Sequence, residues 1–374
     1  MNSERLHALL AEVLQELKSD KTPELLENLV AALRRVVEQP NQPEPQQKVS
    51  ELRTQLREAL GRASSDGFSP GWRQHLEELG IAHLLGAELL QTIESVFTAN
   101  EITPASAADE LEPVRDDLAQ LLEAVQQAVA GLGSLGVGRE ELEPGAYELG
   151  ILVPRHAVDS ELAELGNEFI EIERILLPFV ELATGSRPPL QVRAIGSSDF
   201  TAFLDALPAA AACVAVAVER VIALYKNVLE LRRLRNELSD HEVPPEALEG
   251  LKRHVEATME QGLERVVEEL KTEFPEHLDG HRRNELTSEL LRSLRKLANR
   301  IDAGYSVEVR HEPLPEPEED AEDPVPTSQE DLAYSRLVRE RLPGLRFIKL
   351  DGPPILQLPE GPDDGHAGKG STGV

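Results

Sequence analysis

A single cysteine, Cys213, among 374 residues leaves no partner for an intramolecular disulfide, which fits a reducing compartment. Aromatic residues make up only 3% of the chain, so its core must be built from Leu, Val, Ile and Ala. Positive charge is scarce: 38 Lys and Arg face 68 Asp and Glu, a formal net charge of −30. Such a surface repels phosphate backbones, whose neutralisation supplies much of nucleic-acid affinity, and it disfavours anionic membranes. No nucleic-acid partner is expected. The longest uncharged apolar run, residues 206–218, is interrupted by Pro208 and falls short of the roughly 20 residues that a membrane span needs. The start, MNSERLHALL, lacks a basic lead followed by an apolar stretch, so no signal peptide is expected and a cytoplasmic location is.

What is present points to long packed helices: 40% apolar residues, 28% charged residues and abundant leucine. Leu6, Leu9, Leu10, Val13, Leu14 and Leu17 step by three and four, as do Leu25, Leu26, Leu29, Val30 and Leu33. These are two amphipathic helices, joined across Thr22-Pro23, a cap followed by a first-turn proline. Residues 1–38 therefore read as a helical hairpin. Residues 39–47, QPNQPEPQQ, read as a proline-rich linker. Residues 48–140 read as a helical region with two further helical stretches. Its run LEELGIAHLLGAELLQTI, residues 76–93, resembles the last helices of sterile-alpha-motif domains, which implies an interaction module. It also resembles helix-hairpin-helix elements, but those place basic residues beside the glycines that meet DNA, and here Glu77, Glu78 and Glu88 flank them. After Thr103-Pro104, the residues Leu111, Val114, Leu118, Leu121, Val125 and Leu132 form a coiled-coil-like seam. That seam suits a helix pair, within the chain or across a dimer.

Residues 141–311 read as an α+β domain. Three segments alternate apolar and polar residues: 147–153, 190–195 and 305–310. A helix over about 158–183 joins the first two, and Gly185 ends it. If those two strands share a sheet, the connection is a parallel crossover. Phe200, Phe203 and Leu204 are assigned to a short helix. An alanine-rich helix follows over 209–239, then two more helices carrying Leu248 to Leu270 and Leu286 to Ile301. The fold class is thus mainly α: N-terminal helical hairpins, then three short strands packed on long antiparallel helices. Residues 312–331, rich in proline and acid, read as a disordered linker. Residues 332–374 read as a docking segment, LRFIKL and PPILQL, with a flexible tail.

Candidate chemistry is thin. GLGSLG at residues 131–136 matches a dinucleotide fingerprint, but it follows a helix, whereas the fingerprint needs a strand leading into a helix N-terminus. No cofactor is expected. His277, Asp279, His281 and Glu285 place imidazoles and carboxylates close together, yet match no zinc spacing, and Arg282 and Arg283 oppose a cation. They are weak metal candidates. Cys213 lies among Ala and Val, as core thiols do. Ser197, Ser198 and Asp199 at a strand end read as helix caps. The polar face of the three strands, with Glu148, Gln191, Arg193, Glu308 and Arg310, is a candidate interaction surface. So are the basic stretches with Arg232, Arg233 and Arg235, and with Arg292, Arg295, Lys296 and Arg300, for which an acidic partner, residues 312–323 of the same chain included, is a candidate. The leading expectation is a non-enzymatic interaction or scaffold protein that binds protein partners or itself through long amphipathic helices. A ligand-sensing protein with a pocket near Arg155, His156, Arg193 and Asp199 is the alternative. An enzyme whose active-site residues are dispersed along the chain is the third.

Overall fold

The alanine run is the axis of the larger of two units. In the computed structural model, residues 1–141 and 142–374 form separate compact units. The structure describes residues 3–138, 140, 142–158, 161–196, 200–239, 245–274, 280–312, 328–345 and 353–360.

The first unit is helical: α1 (Ser3–Ser19), α2 (Thr22–Glu38), α3 (Pro43–Leu60), α4 (Pro70–Glu78), α5 (Gly86–Ala99) and α6 (Pro104–Ser134). The seam of α6 is filled inside this unit, where it packs on α1 and α2. Leu111, Leu118, Leu121 and Val125 are buried there with Leu9, Leu26 and Leu29. Two local expectations shift. Lys21, at φ 52°, is the residue before α2, and Thr22 lies inside the helix. Residues 43–47, assigned to a linker, are the first turn of α3, because Pro43 and Pro45 stand where a missing N–H costs no hydrogen bond. Among its described residues one acid is buried. Glu16 accepts from Ser65 N at 2.6 Å, Ser65 Oγ at 2.9 Å and Ser64 Oγ at 2.9 Å, which ties the turn after α3 to α1.

Among its described residues the second unit has four strands, one more than the alternation signalled: β1 (Tyr147–Val153), β2 (Gln191–Gly196), β3 (Phe200–Ala206) and β4 (Ser306–His311). Its helices are α7 (Leu162–Thr184), α8 (Pro208–Ser239), α9 (Pro245–Glu273), α10 (Gly280–Asp302) and α11 (Gln329–Arg341). The sheet order is β2-β3-β1-β4, with every neighbouring pair antiparallel. The extra strand, β3, comprises Phe200, Phe203 and Leu204, the residues assigned to a short helix. It inserts between β1 and β2, so those two run the same way without touching. This is the β-α-β-β-α-β ferredoxin-like arrangement, with α8, α9 and α10 standing in for the second helix.

Register explains the core. Leu149 lies opposite Leu204 and Val309, and Ile151 opposite Ala202 and Val307. These rows are buried together with α7 and α8. Helix α8 touches α7, α9, α10, α11, β1 and β4. Such crowding requires small side chains, and Ala211, Ala212, Cys213, Ala215, Val216 and Ala217 are all fully buried. Over residues 208–234 this helix is long and apolar enough to cross a bilayer, but most of that stretch is inside the unit. At its contact with α9, a Cβ on Gly262 would stand 2.7 Å from the Leu224 methyl groups, so a larger residue there would have to displace that side chain.

A methylene-rich side chain has no room in this run. Ala215→Leu is expected to destabilise the second unit by about 1–3 kcal/mol, the usual range for overpacking. Urea unfolding followed by circular dichroism should show that unit's transition moving while that of residues 1–141 stays in place.

Candidate functional site

The most concentrated buried polar site lies where α10 ends. Asp302 is fully buried, as is Tyr225, and Arg232 is 3% exposed. Tyr225 donates its hydroxyl to Asp302 Oδ1. Arg232 Nη1 donates to the same oxygen at 3.2 Å, to the Asp302 carbonyl at 3.1 Å and to Tyr225 Oη at 3.1 Å. The other oxygen, Oδ2, accepts from two consecutive backbone amides, Ile355 N at 2.5 Å and Leu356 N at 2.7 Å. Burial and the neighbouring Asp302 carboxylate push the Tyr225 hydroxyl pKa well above its ordinary value, so it stays a donor. Arg232, expected on a surface, is instead an internal counter-ion, because its helix turns that position toward Asp302. The side chain of Arg235 lies outside the described residues.

Around Asp302 the C-terminal segment 353–360 is held as a strap. Gln357 N donates to Glu256 at 3.2 Å, and Leu358 N to Asn299 Oδ1 at 3.0 Å. Asn299 Nδ2 returns a bond to the Leu358 carbonyl at 3.0 Å. Ile355, Leu356 and Leu358 are buried. The docking segment read from PPILQL thus lies on its own chain.

The basic positions of α10 are occupied by acids from neighbouring helices. Arg300 pairs with Glu168 at 2.6 Å, Lys296 with Glu171 at 2.7 Å, and Arg282 with Glu181 at 2.7 Å, all on α7. Arg295 Nε reaches Glu260 of α9 at 3.0 Å. The Arg282 hydrogen bonds hold the Glu181 carboxyl below the usual range, against the effect of its partial burial. Residues 313–323, most of the proposed acidic partner, lie outside the described residues, but these four cations already have partners within the fold. Together they form a ladder that fixes α7 and α9 against α10.

The polar sheet face is not the open platform expected. Glu148 is 0% exposed and Glu308 6%. Glu148 pairs across the strands with Arg310 at 3.1 Å and with Arg193 at 3.9 Å. Glu308 folds over β1, where a Cβ on Gly150 would come within 2.6 Å of its Cγ. Only the β2 edge stays outside, with Gln191 and Arg193 exposed. Arg193 sits in a β-bulge, where the register shifts between Val192 and Ala194, and it meets Asp205 at 3.4 Å.

The pocket expected at the strand ends is not assembled among the described residues. Arg193 lies beside the start of β1, whereas Arg155 and His156 follow its end, roughly 20 Å away along the strand. His156 Nε2 bonds the Ala303 carbonyl at 3.0 Å, and Arg155 lies over the Phe200 ring at 5.3 Å. Asp199, His277 and Asp279 lie outside the described residues. His281 is 88% exposed and sits 3.5 Å from Glu285, an acid that also binds Arg282. Among the described residues no three potential ligands gather around one point. Cys213 is fully buried, and that burial raises its thiol pKa far from the reactive range. A small apolar groove, about 150 Å³ in volume, lies between α8 and α9 beside Met259 and His254.

One pairing had no signal in sequence spacing. His311 Nε2 lies 3.0 Å from Ser335 Oγ, and its ring stacks on Tyr147 at 5.3 Å. A serine–histidine nucleophile needs a group that orients the imidazole. Here Nδ1 is buried without a partner and Ser335 is itself buried. The contact instead fastens α11 to the sheet.

The chain matches no protein-family model, no curated protein and no solved structure.

Two outcomes follow from these contacts. Asp302→Asn leaves Arg232 as an uncompensated buried cation, and losing one partner of a buried pair costs about 3–5 kcal/mol. Urea denaturation and faster protease cleavage near residue 355 should report that loss. Burial, helped by the Arg339 charge, depresses the His311 pKa below the ordinary imidazole value. The neutral ring is therefore the folded form. Its contribution to stability is complete above the unfolded-chain pKa of about 6.5 and is lost as pH falls toward the depressed folded value. His311→Asn should flatten that acid-side loss in unfolding titrations between pH 7.5 and 5.

Proposed function

We propose that this protein is a non-enzymatic interaction or scaffold protein that binds protein partners or a second copy of itself, with its long helices as the frame. The observation that carries the reading is the outer edge of the sheet. Strand β2 pairs on one side only among the described residues, with β3. Val192 and Ile195 on it are 57% and 60% exposed, and Leu207 just beyond β3 is 52% exposed. An edge strand offers unpaired backbone groups, and exposed apolar side chains beside it are the usual means by which a sheet receives another segment. The bulge at Arg193 limits indiscriminate pairing, as bulges on edge strands do.

The ionic groups support the same reading. Asp302, Glu148, Glu168, Glu171, Glu181 and Glu16 each end on donors that stabilise the fold. The raised pKa values of Tyr225, Cys213 and Tyr305 follow mainly from burial in packed interior, and that of Arg282 from its hydrogen bonds to Glu181 and Glu289, not from a cleft that admits a reactant. The apolar stripes of α1, α2, α6, α8, α9 and α10 are spent inside their own units, which leaves the sheet edge as the described surface best suited to a partner.

The test is a full-length chain carrying Val192→Lys and Ile195→Lys, compared with the parent by light scattering over a concentration series and by partner capture. The paired change is expected to weaken association by at least tenfold, which corresponds to about 1.4 kcal/mol, without altering the circular dichroism spectrum. Unchanged association in both measurements counts against the β2 edge. A purified chain that instead turns over a substrate removes the non-enzymatic reading itself.

A further inference from the structure

The strap is held in an unusual way for a piece of a chain's own core. Four consecutive backbone amides, at Ile355, Leu356, Gln357 and Leu358, each end on a side chain: two on Asp302, one on Glu256 and one on Asn299. Asn299 bonds Leu358 in both directions, as a neighbouring strand would. Lys252 Nζ holds the Gln357 amide oxygen at 2.8 Å, and Asn299 Nδ2 holds Glu360 Oε1 at 2.8 Å. Most of these bonds read backbone, so they are indifferent to which chain supplies it. Side chains enter at only a few points: apolar groups at 355, 356 and 358, an amide at 357 and a carboxylate at 360. A cluster of side chains that reads a segment's backbone amides, with apolar room for a few of its side chains, has the makings of a peptide site.

We propose that the surface formed by Lys252 and Glu256 of α9 and by Asn299 and Asp302 of α10 is a binding site for a protein segment, with residues 353–360 as its resident occupant, replaced when a partner protein presents a segment of the same chemistry. The partner's segment has four successive non-proline amides, apolar side chains at its first, second and fourth positions and an acid at its sixth. Asp302 explains why the site exchanges occupants and does not stand open. With no donors at Oδ2, a carboxylate in this interior is left half satisfied, and buried unpaired acceptors are costly. A different protein is the favoured source, because a second copy brings another charge of −30 toward the first. The inference rests on the reading of the molecule as an interaction protein.

A tethered occupant competes at an effective concentration in the millimolar range, so the tether has to be disabled in the test. In the full chain, Leu356→Pro removes one of the two amides that Asp302 needs. A fluorescent octapeptide with the sequence of residues 353–360, PPILQLPE, is then titrated against the parent and this variant, with anisotropy as the readout. At least tenfold tighter uptake by the variant is expected, with no uptake of an octapeptide carrying the same proline. A folded variant that takes up neither peptide overturns the proposal, as does equal uptake of both. If the variant does not fold, a chain with a protease site placed within residues 346–352 is cut after folding. Replacement of its released strap by the labelled octapeptide supports exchange, and retention of the original strap overturns it. Parent and variant chains sedimenting as a mixed dimer point to a second copy and overturn the assignment to a different protein. Failed peptide uptake alongside partner capture through β2 defeats this inference and leaves the interaction reading intact.

Discussion

A carboxylate with no access to water must have every lone pair answered, and Asp302 imposes that demand on three parts of the second unit at once. Helix α8 answers with Tyr225 and Arg232, and the C-terminal strap answers with two amides. The residue itself ends α10, immediately before the turn into β4. One side chain therefore joins the central helix, the entry to the edge strand β4 and the strap of residues 353–360. Arrangements of this kind gain specificity more than raw stability, since a hydrophobic replacement of the whole cluster would often be as stable. What the cluster supplies is a unique place for residues 353–360.

The same economy of charge runs through the rest of the unit. A chain with a net charge of −30 has few cations to spare, and α10 concentrates several of them where α7 and α9 bring acids. Single exposed pairs contribute little, but a connected series between two packed helices sets their relative position. Beneath it, the alanine run of α8 brings four helices and two strands close to one axis. Small residues determine how near the elements approach, and ionic pairs determine in which register they do so. The outer sheet face follows this logic as well, with Arg310 directly opposite Glu148 in the strand register.

Helix periodicity and strand alternation made much of this legible in advance. The stripes of α1, α2, α6, α8, α9 and α10 and the alternation of β1, β2 and β4 are the direct imprint of one buried face. Strand β3 escaped because FTAFLDA follows a segment with helix-capping residues, and its alternation of Ala202 and Leu204 with Thr201, Phe203 and Asp205 is blurred by Phe203, which is buried on the outer face. The first turn of α3 was hidden by its prolines, which break helices in the interior and begin them at the start. The site at Asp302 left no local trace, since Tyr225, Arg232, Asp302 and Ile355 are spread over 130 residues of chain and are brought together only by the packing of α8 on α10. Glu148 was misplaced on a wet face for a related reason: alternation tells which side of a strand a residue occupies, not what comes to lie over that side.

Whether the strap is a bound ligand of Asp302 is measured directly by amide exchange at residues 355 and 356. Hydrogen–deuterium exchange read by mass spectrometry on the intact protein should show these two amides strongly protected. In Asp302→Asn they should exchange at close to free-peptide rates while α1 to α6 keep their protection. Amides at 355 and 356 that exchange in the parent protein as fast as in the isolated octapeptide would contradict that binding.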